Sequence, residues 1–127
     1  MTGRRAIFAI TLLVIASAPT AHAADDLNGT WRAESALGGA VSGPELQITG
    51  VQVSGTGGCN RYSGTAVISK GAIKFGPLRA TRMFCAGKMD TETVFLSALD
   101  AARAYRLSGN QLVLTDETGS PVATFTK

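Results

Sequence analysis

Apolar and polar residues alternate with a period of two along most of this chain, which predicts strands rather than helices. Residues 30–35 read as a first strand, followed by Gly38-Gly39 and a polar connector to Pro44. Leu46-Gln47-Ile48-Thr49 and Val51-Gln52-Val53 alternate around Gly50, which predicts a bend or bulge between them. Ala66-Val67-Ile68 and Ile73-Lys74-Phe75 flank Ser69-Lys70-Gly71, the spacing of a hairpin. Gly76-Pro77 then interrupts the ladder, and residues 78–83 read as a further strand running into Cys85. Tyr105-Arg106-Leu107, Leu112-Val113-Leu114 and residues 122–125 complete a closing meander, with turns at Ser108-Gly109-Asn110 and at 116–120.

The period changes once. Phe95, Ala98, Leu99, Ala102 and Tyr105 recur at helical spacing and predict one amphipathic helix that starts near Asp90, whose carboxylate is expected to cap free amides, with Glu92 at the positive end of the helix dipole. Strands on both sides of a single helix predict a mainly β fold, a small, strongly curved antiparallel sheet or barrel with that helix packed on it. Inward residues such as Trp31, Phe75 and Phe95 are expected to fill the interior.

The N-terminus departs from both patterns. Arg4 and Arg5, an apolar run over 6–18, Pro19 and Ala21-His22-Ala23 read as a cleavable export signal over residues 1–23. The apolar run is shorter than the roughly 20 residues that span a bilayer as a helix. Residues 24–127 are then one domain of 104 residues in the periplasm or outside the cell, with no stable membrane anchor after cleavage. Cleavage removes two of twelve basic residues against nine acidic ones, lowering the formal charge from +3 to +1. That balance gives no electrostatic case for nucleic acid.

Cleavage also removes His22, the only histidine. Histidine-based triads lose their base, and zinc or copper sites their usual ligand, so no metal, cofactor or catalytic residue is expected. Cys59 and Cys85 are the only cysteines, and in an oxidising compartment a Cys59–Cys85 disulfide is their most economical use. A redox pair is the alternative, against which stand the absent C-x-x-C spacing and missing histidine.

The loop over 55–63 carries two further readings. Its glycines lack the phosphate-binding motifs and predict a bulged turn. Asn60, Arg61 and Tyr62 follow a cysteine that a disulfide would hold still, making them candidate partner-binding residues, although for Asn60 the preferred role is to bond the turn's own backbone. Arg79 and Arg82 join that candidate set, since with Arg61 they suit a small anion or carboxylate pocket. Trp31 reads as a core plug, and Met83, Phe84 and Met89 as packing around the disulfide, with an exposed Phe84 as the alternative. The pairs Asp90/Glu92 and Asp116/Glu117 have helix-start and turn roles ready.

The segments Leu27-Asn28-Gly29-Thr30-Trp31, Gly58-Cys59-Asn60-Arg61-Tyr62-Ser63-Gly64, Met83-Phe84-Cys85 and Met89-Asp90-Thr91-Glu92 together resemble the META-domain family, which includes HslJ-like heat-shock proteins of bacterial envelopes. The resemblance implies a mainly β fold with one helix. It also implies a non-enzymatic envelope protein concerned with stress response or antibiotic tolerance, acting by binding another envelope component. Several such proteins are lipoproteins, but no cysteine follows the apolar run here, so a soluble exported protein is expected. Two other functions fit such a domain: a carrier of a small ligand inside the barrel, and an inhibitor of a secreted hydrolase that presents the loop over 55–63.

Overall fold

The computed structural model describes residues 3 and 26–127. The export signal expected over residues 1–23 lies, Gly3 apart, outside the described residues. Among the described residues, ten strands and one helix follow in the order β1 (Gly29–Ala36), β2 (Gly39–Ala40), β3 (Glu45–Thr49), β4 (Gln52–Thr56), β5 (Arg61–Ser69), β6 (Ala72–Phe75), β7 (Arg79–Ala80), α1 (Met89–Ala101), β8 (Ala104–Ser108), β9 (Gln111–Thr115) and β10 (Pro121–Thr126). Every pairing is antiparallel. Eight strands run β1-β3-β4-β5-β6-β8-β9-β10 and close through β10 on β1, while β2 pairs only β1 and β7 pairs only β5.

Closure removes the two exposed edges that an open sheet of this size would present. The joint between β6 and β8 is the weakest. It has one residue pair, Ala72 with Ala104, held by the Ile73 amide on the Arg103 carbonyl and the Tyr105 amide on the Gly71 carbonyl, both at 3.1 Å. Helix α1, which enters the chain between β7 and β8, packs against β1, β6 and β10. The amphipathic reading of this helix holds for Phe95, Ala98 and Leu99, which are fully buried, but the helix ends at Ala101, so that Ala102 is its extended C-cap and Tyr105 belongs to β8 instead of the helical face.

Trp31, Phe75, Phe95, Phe125, Leu46, Ile48, Leu112 and Leu114 fill the barrel from its inward positions, as the alternation requires. The Trp31 indole donates to the Leu27 carbonyl at 2.9 Å, and the Lys127 ammonium lies 5.1 Å over its ring while donating to the Asn28 carbonyl. The first and last strands are thus tied at one end of the barrel.

Four expectations are corrected. Strand β5 begins at Arg61, so Arg61 and Tyr62 belong to a ladder rather than to a loop. Of the strand expected over residues 78–83 only Arg79–Ala80 forms, because regular pairing of that run with β5 is confined to those two residues. The helix has Lys88 at its N-cap with no side-chain cap, leaving Asp90 exposed in the first turn without the capping role. Met83 and Phe84 do not pack around the disulfide: they are 57% and 81% exposed. Asp116 does hold its turn, accepting the amides of Thr118 and Ser120 and the Thr118 hydroxyl. The Thr118 hydroxyl is the main reason that its carboxyl sits below the ordinary carboxylate range.

Candidate functional site

One corner of the barrel gathers most of the polar residues singled out in the sequence. The turn between β4 and β5 passes so close to α1 that a Cβ on Gly57 would lie 2.5 Å from the Glu92 side chain, so glycine is required there by close approach. Glu92 is buried, and its carboxylate accepts the Asn60 amide at 2.5 Å, the Cys59 amide at 3.3 Å and the Asn60 side-chain amide at 2.7 Å. A carboxylate in a helix's first turn is favoured by the dipole. Here it also tethers a loop 32 residues away in sequence.

Asn60 continues the tether. Its Oδ1 accepts the Met83 amide at 2.6 Å and the Thr81 hydroxyl at 2.9 Å, while its Nδ2 donates to the Met83 carbonyl at 3.0 Å. The side-chain amide therefore gives Met83 the two bonds that a neighbouring strand would supply, which is how residues 81–83 stay in place beyond the end of β7. The Cys59–Cys85 disulfide, with Cα atoms 5.8 Å apart, closes the same corner, and no described cysteine is free. Asn60 is thus the backbone-bonding residue of its two sequence readings. Being buried, it holds a surface rather than forming one.

Asn60→Ala removes one of the three bonds to the Glu92 carboxylate and the acceptor of the Thr81 hydroxyl, and leaves both backbone groups of Met83 without their side-chain partner. We expect a loss of about 2–3 kcal/mol in urea unfolding of the oxidised protein. Asn60→Asp, which sets a second carboxylate against Glu92, is expected to cost at least as much. A loss below about 0.5 kcal/mol for both variants would show that water replaces the clamp.

Tyr62 is likewise buried, not a contact residue. Its ring lies 5.9 Å from that of Phe95, and its hydroxyl donates to the Glu45 carbonyl at 2.7 Å. It reaches that carbonyl across Gly55, where a Cβ would stand 2.1 Å from the Glu45 carbonyl oxygen and 2.9 Å from the Tyr62 hydroxyl. Burial, and then the charge of Glu45, push the phenol far above its ordinary value, so it stays a hydrogen-bond donor.

The arginines divide. Arg61 and Arg79 line one open cleft of about 590 Å³ with Glu45, Gln47, Ser54, Ser63 and Thr81. Arg82 stands outside that lining, on the exposed stretch that leads to Met83 and Phe84. A second cleft of about 460 Å³ lies between β6–β7 and α1, with Phe75, Pro77, Leu78 and Leu96 in its walls and Lys74 and Asp100 beside them. Among the described residues, no group of three or more His, Cys, Asp or Glu is placed to hold a metal ion.

Sequence reasoning missed the tether by Glu92, the Gly55–Tyr62–Glu45 contact and the use made of Met83. Only Glu92 left a trace, as an acid in the first helical turn. The other two depend on strand register and on a side chain replacing a strand, neither of which has a local pattern.

The architecture has counterparts. A solved structure determined by NMR superposes with a TM-score of 0.59 at 26% identity, covering 76% of this chain and 87% of the other. An NMR structure of a protein from Burkholderia xenovorans gives 0.61 at 25% identity, with 78% and 81% covered. A crystal structure of a DUF4847 family protein from Bacteroides vulgatus gives 0.58 at 14% identity, with 78% and 92% covered, a likeness of fold alone. No curated protein shows significant similarity to this chain. The META domain family matches residues 24–127, the whole of the barrel, its helix and the disulfide corner, and the chain belongs to that family.

Proposed function

We propose that this META-domain protein is an exported, non-enzymatic binding module that serves envelope stress response or antibiotic tolerance by gripping another envelope protein through Arg82, Met83 and Phe84. One observation carries the reading. Two large apolar side chains stand in solvent on a backbone that is held at both polar groups of Met83 by Asn60 and pinned two residues later by the disulfide. Exposing Phe84 has a standing cost in water, and a pre-ordered segment loses little entropy when a partner covers it. Aromatic residues, Met and Arg are enriched in the centres of such interfaces.

Arg82 precedes the apolar pair and Lys88 follows the disulfide, both exposed, so the partner expected is an apolar pocket with an acidic rim. Export is supported by the signal-like N-terminus and by a disulfide that suits an oxidising compartment. A carrier function inside the barrel lacks support from the packing, since Trp31, Phe95 and Phe125 occupy the interior.

The test is affinity capture from periplasmic extract with the oxidised mature protein, using a Met83→Ser/Phe84→Ser double variant as the control. One identified envelope protein should be retained, should rebind when purified, and should be lost with the double variant. Retention that the double variant leaves unchanged, or recovery of nothing above a blank resin, would refute the reading. Tyr62 is unsuitable for such a control, because its replacement would disturb the core.

A further inference from the structure

The outer face of β3, β4, β5 and β7 has a chemistry that the partner-binding reading does not use. Strand register sets two rows of side chains across it. One runs Glu45, Thr56, Arg61, and the other Gln47, Ser54, Ser63, Arg79. Glu45, Gln47, Arg61 and Ser63 alternate with the buried Leu46, Ile48 and Tyr62 and so point outward, and Thr56, Ser54 and Arg79 share their face by register. Short hydroxyl side chains therefore form the floor of the 590 Å³ cleft, with Glu45 and Gln47 along one wall and Arg61 and Arg79 along the other. Its volume lies within the roughly 300–1,000 Å³ of small-molecule sites.

The walls carry opposite charge and do not neutralise each other. Glu45 and Arg61 are two strand spacings apart, about 10 Å between backbones, which leaves room for a molecule between their charged ends. Among the described residues, neither guanidinium has a hydrogen bond or ion pair, and the Glu45 carboxylate has none either, although Arg32 faces it in register on β1. The floor offers Ser54 and Ser63 hydroxyls that are equally uncommitted. The only aromatic residue in the lining, Tyr62, is buried, so the cleft has no face on which a base or sugar ring would stack.

We propose that this cleft is a second binding site, for a small zwitterion with a carboxylate at the arginine wall and an ammonium at Glu45, the class of free amino acids and short peptides. Two arginines suit a carboxylate because their planar donors pair with both of its oxygens. Glu45 provides selectivity: it attracts the ammonium and repels ligands that are anionic throughout, such as phosphate or a dicarboxylate. The hydroxyl floor takes the peptide or side-chain polar groups between the two ends.

The experiment is an amide-detected NMR titration of the oxidised mature protein with dialanine, dialanine amide and N-acetyldialanine. Dialanine should cause saturable shifts confined to β3, β4, β5 and β7. Dialanine amide, which lacks the carboxylate, should bind at least about tenfold more weakly, as should dialanine to Arg61→Gln/Arg79→Gln. N-acetyldialanine, which lacks the ammonium, should bind the native protein more weakly than dialanine does, and this difference should vanish in Glu45→Gln. None of these three positions is buried, and the same spectra report whether the variants fold. Absence of saturable shifts with dialanine, equal binding of the three compounds, or unchanged affinity in the arginine variant would overturn the assignment. Met83→Ser/Phe84→Ser should bind dialanine normally, so failure here is separable from failure of the protein-binding reading.

Discussion

Phe95→Ala is expected to remove about 3–5 kcal/mol of stability, a large part of the 5–15 kcal/mol typical of a single domain. Phe95 is fully buried on α1, and its ring meets Tyr62 of β5 at 5.9 Å and Phe125 of β10 at 6.0 Å, the latter edge-on. It therefore joins the helix to strands that are far apart around the barrel. The barrel is hydrogen-bonded around its circumference and so cannot collapse freely into the space left by a deleted ring, which places the cost toward the upper part of the range. Urea unfolding followed by far-UV circular dichroism measures it, with Phe95→Leu as a milder step in the same direction. A loss below about 1 kcal/mol for Phe95→Ala would mean that the helix is dispensable to the barrel.

Replacing both cysteines, Cys59→Ala/Cys85→Ala, is expected to cost about 3.5 kcal/mol. The two are separated by 26 positions, and releasing a closed loop of that size restores about that much chain entropy to the unfolded state. The folded corner should survive, because Asn60 holds Met83 and Glu92 holds residues 59 and 60 without help from sulfur. The double variant should thus show a native spectrum in water and a lowered urea midpoint. Reduction of the native protein by dithiothreitol should lower the midpoint to a similar extent. An unchanged midpoint would show that the crosslink has no thermodynamic role, and a molten spectrum would show that the hydrogen-bonded clamp cannot stand alone.

These two effects sit at opposite ends of what could be read from the chain. The burial of Phe95 follows from its spacing with Ala98, Leu99 and Ala102, a pattern within one helical face. The Cys59–Cys85 pairing followed from cysteine count and expected compartment, and it places the β4–β5 turn beside the segment before α1. The functional reading of the same stretch was less complete. Asn60 and Tyr62 had to be reassigned to interior support, while Arg61 and Arg79 converge on one cleft and Arg82 stands apart. The misplaced boundary at Arg61 explains the first change. A run rich in glycine and polar residues reads locally as a loop, yet alternating positions there satisfy a ladder with β4, and Gly55 makes room for the Tyr62 hydroxyl.

What the sequence by itself determined is whatever has a short period: most of the strands apart from β2, β7 and the start of β5, the helix and its buried face, the turns at Gly71, Gly109 and Asp116, and the inward set that fills the barrel. Side chains one, two or four positions apart decide these, because strand and helix geometry repeat over such distances. Tertiary structure alone decided the closure of β10 on β1, the two rows that bring Glu45 opposite Arg61, the tether from Glu92 to Asn60, and the exposure of Phe84. Each of these depends on register or approach between segments distant in the chain, where a one-residue shift would reverse every outward and inward side chain. The candidate sites belong to that second group, since the cleft arises only where separate strands lie side by side, and the exposed Met83 and Phe84 only where Asn60 and the disulfide hold their backbone.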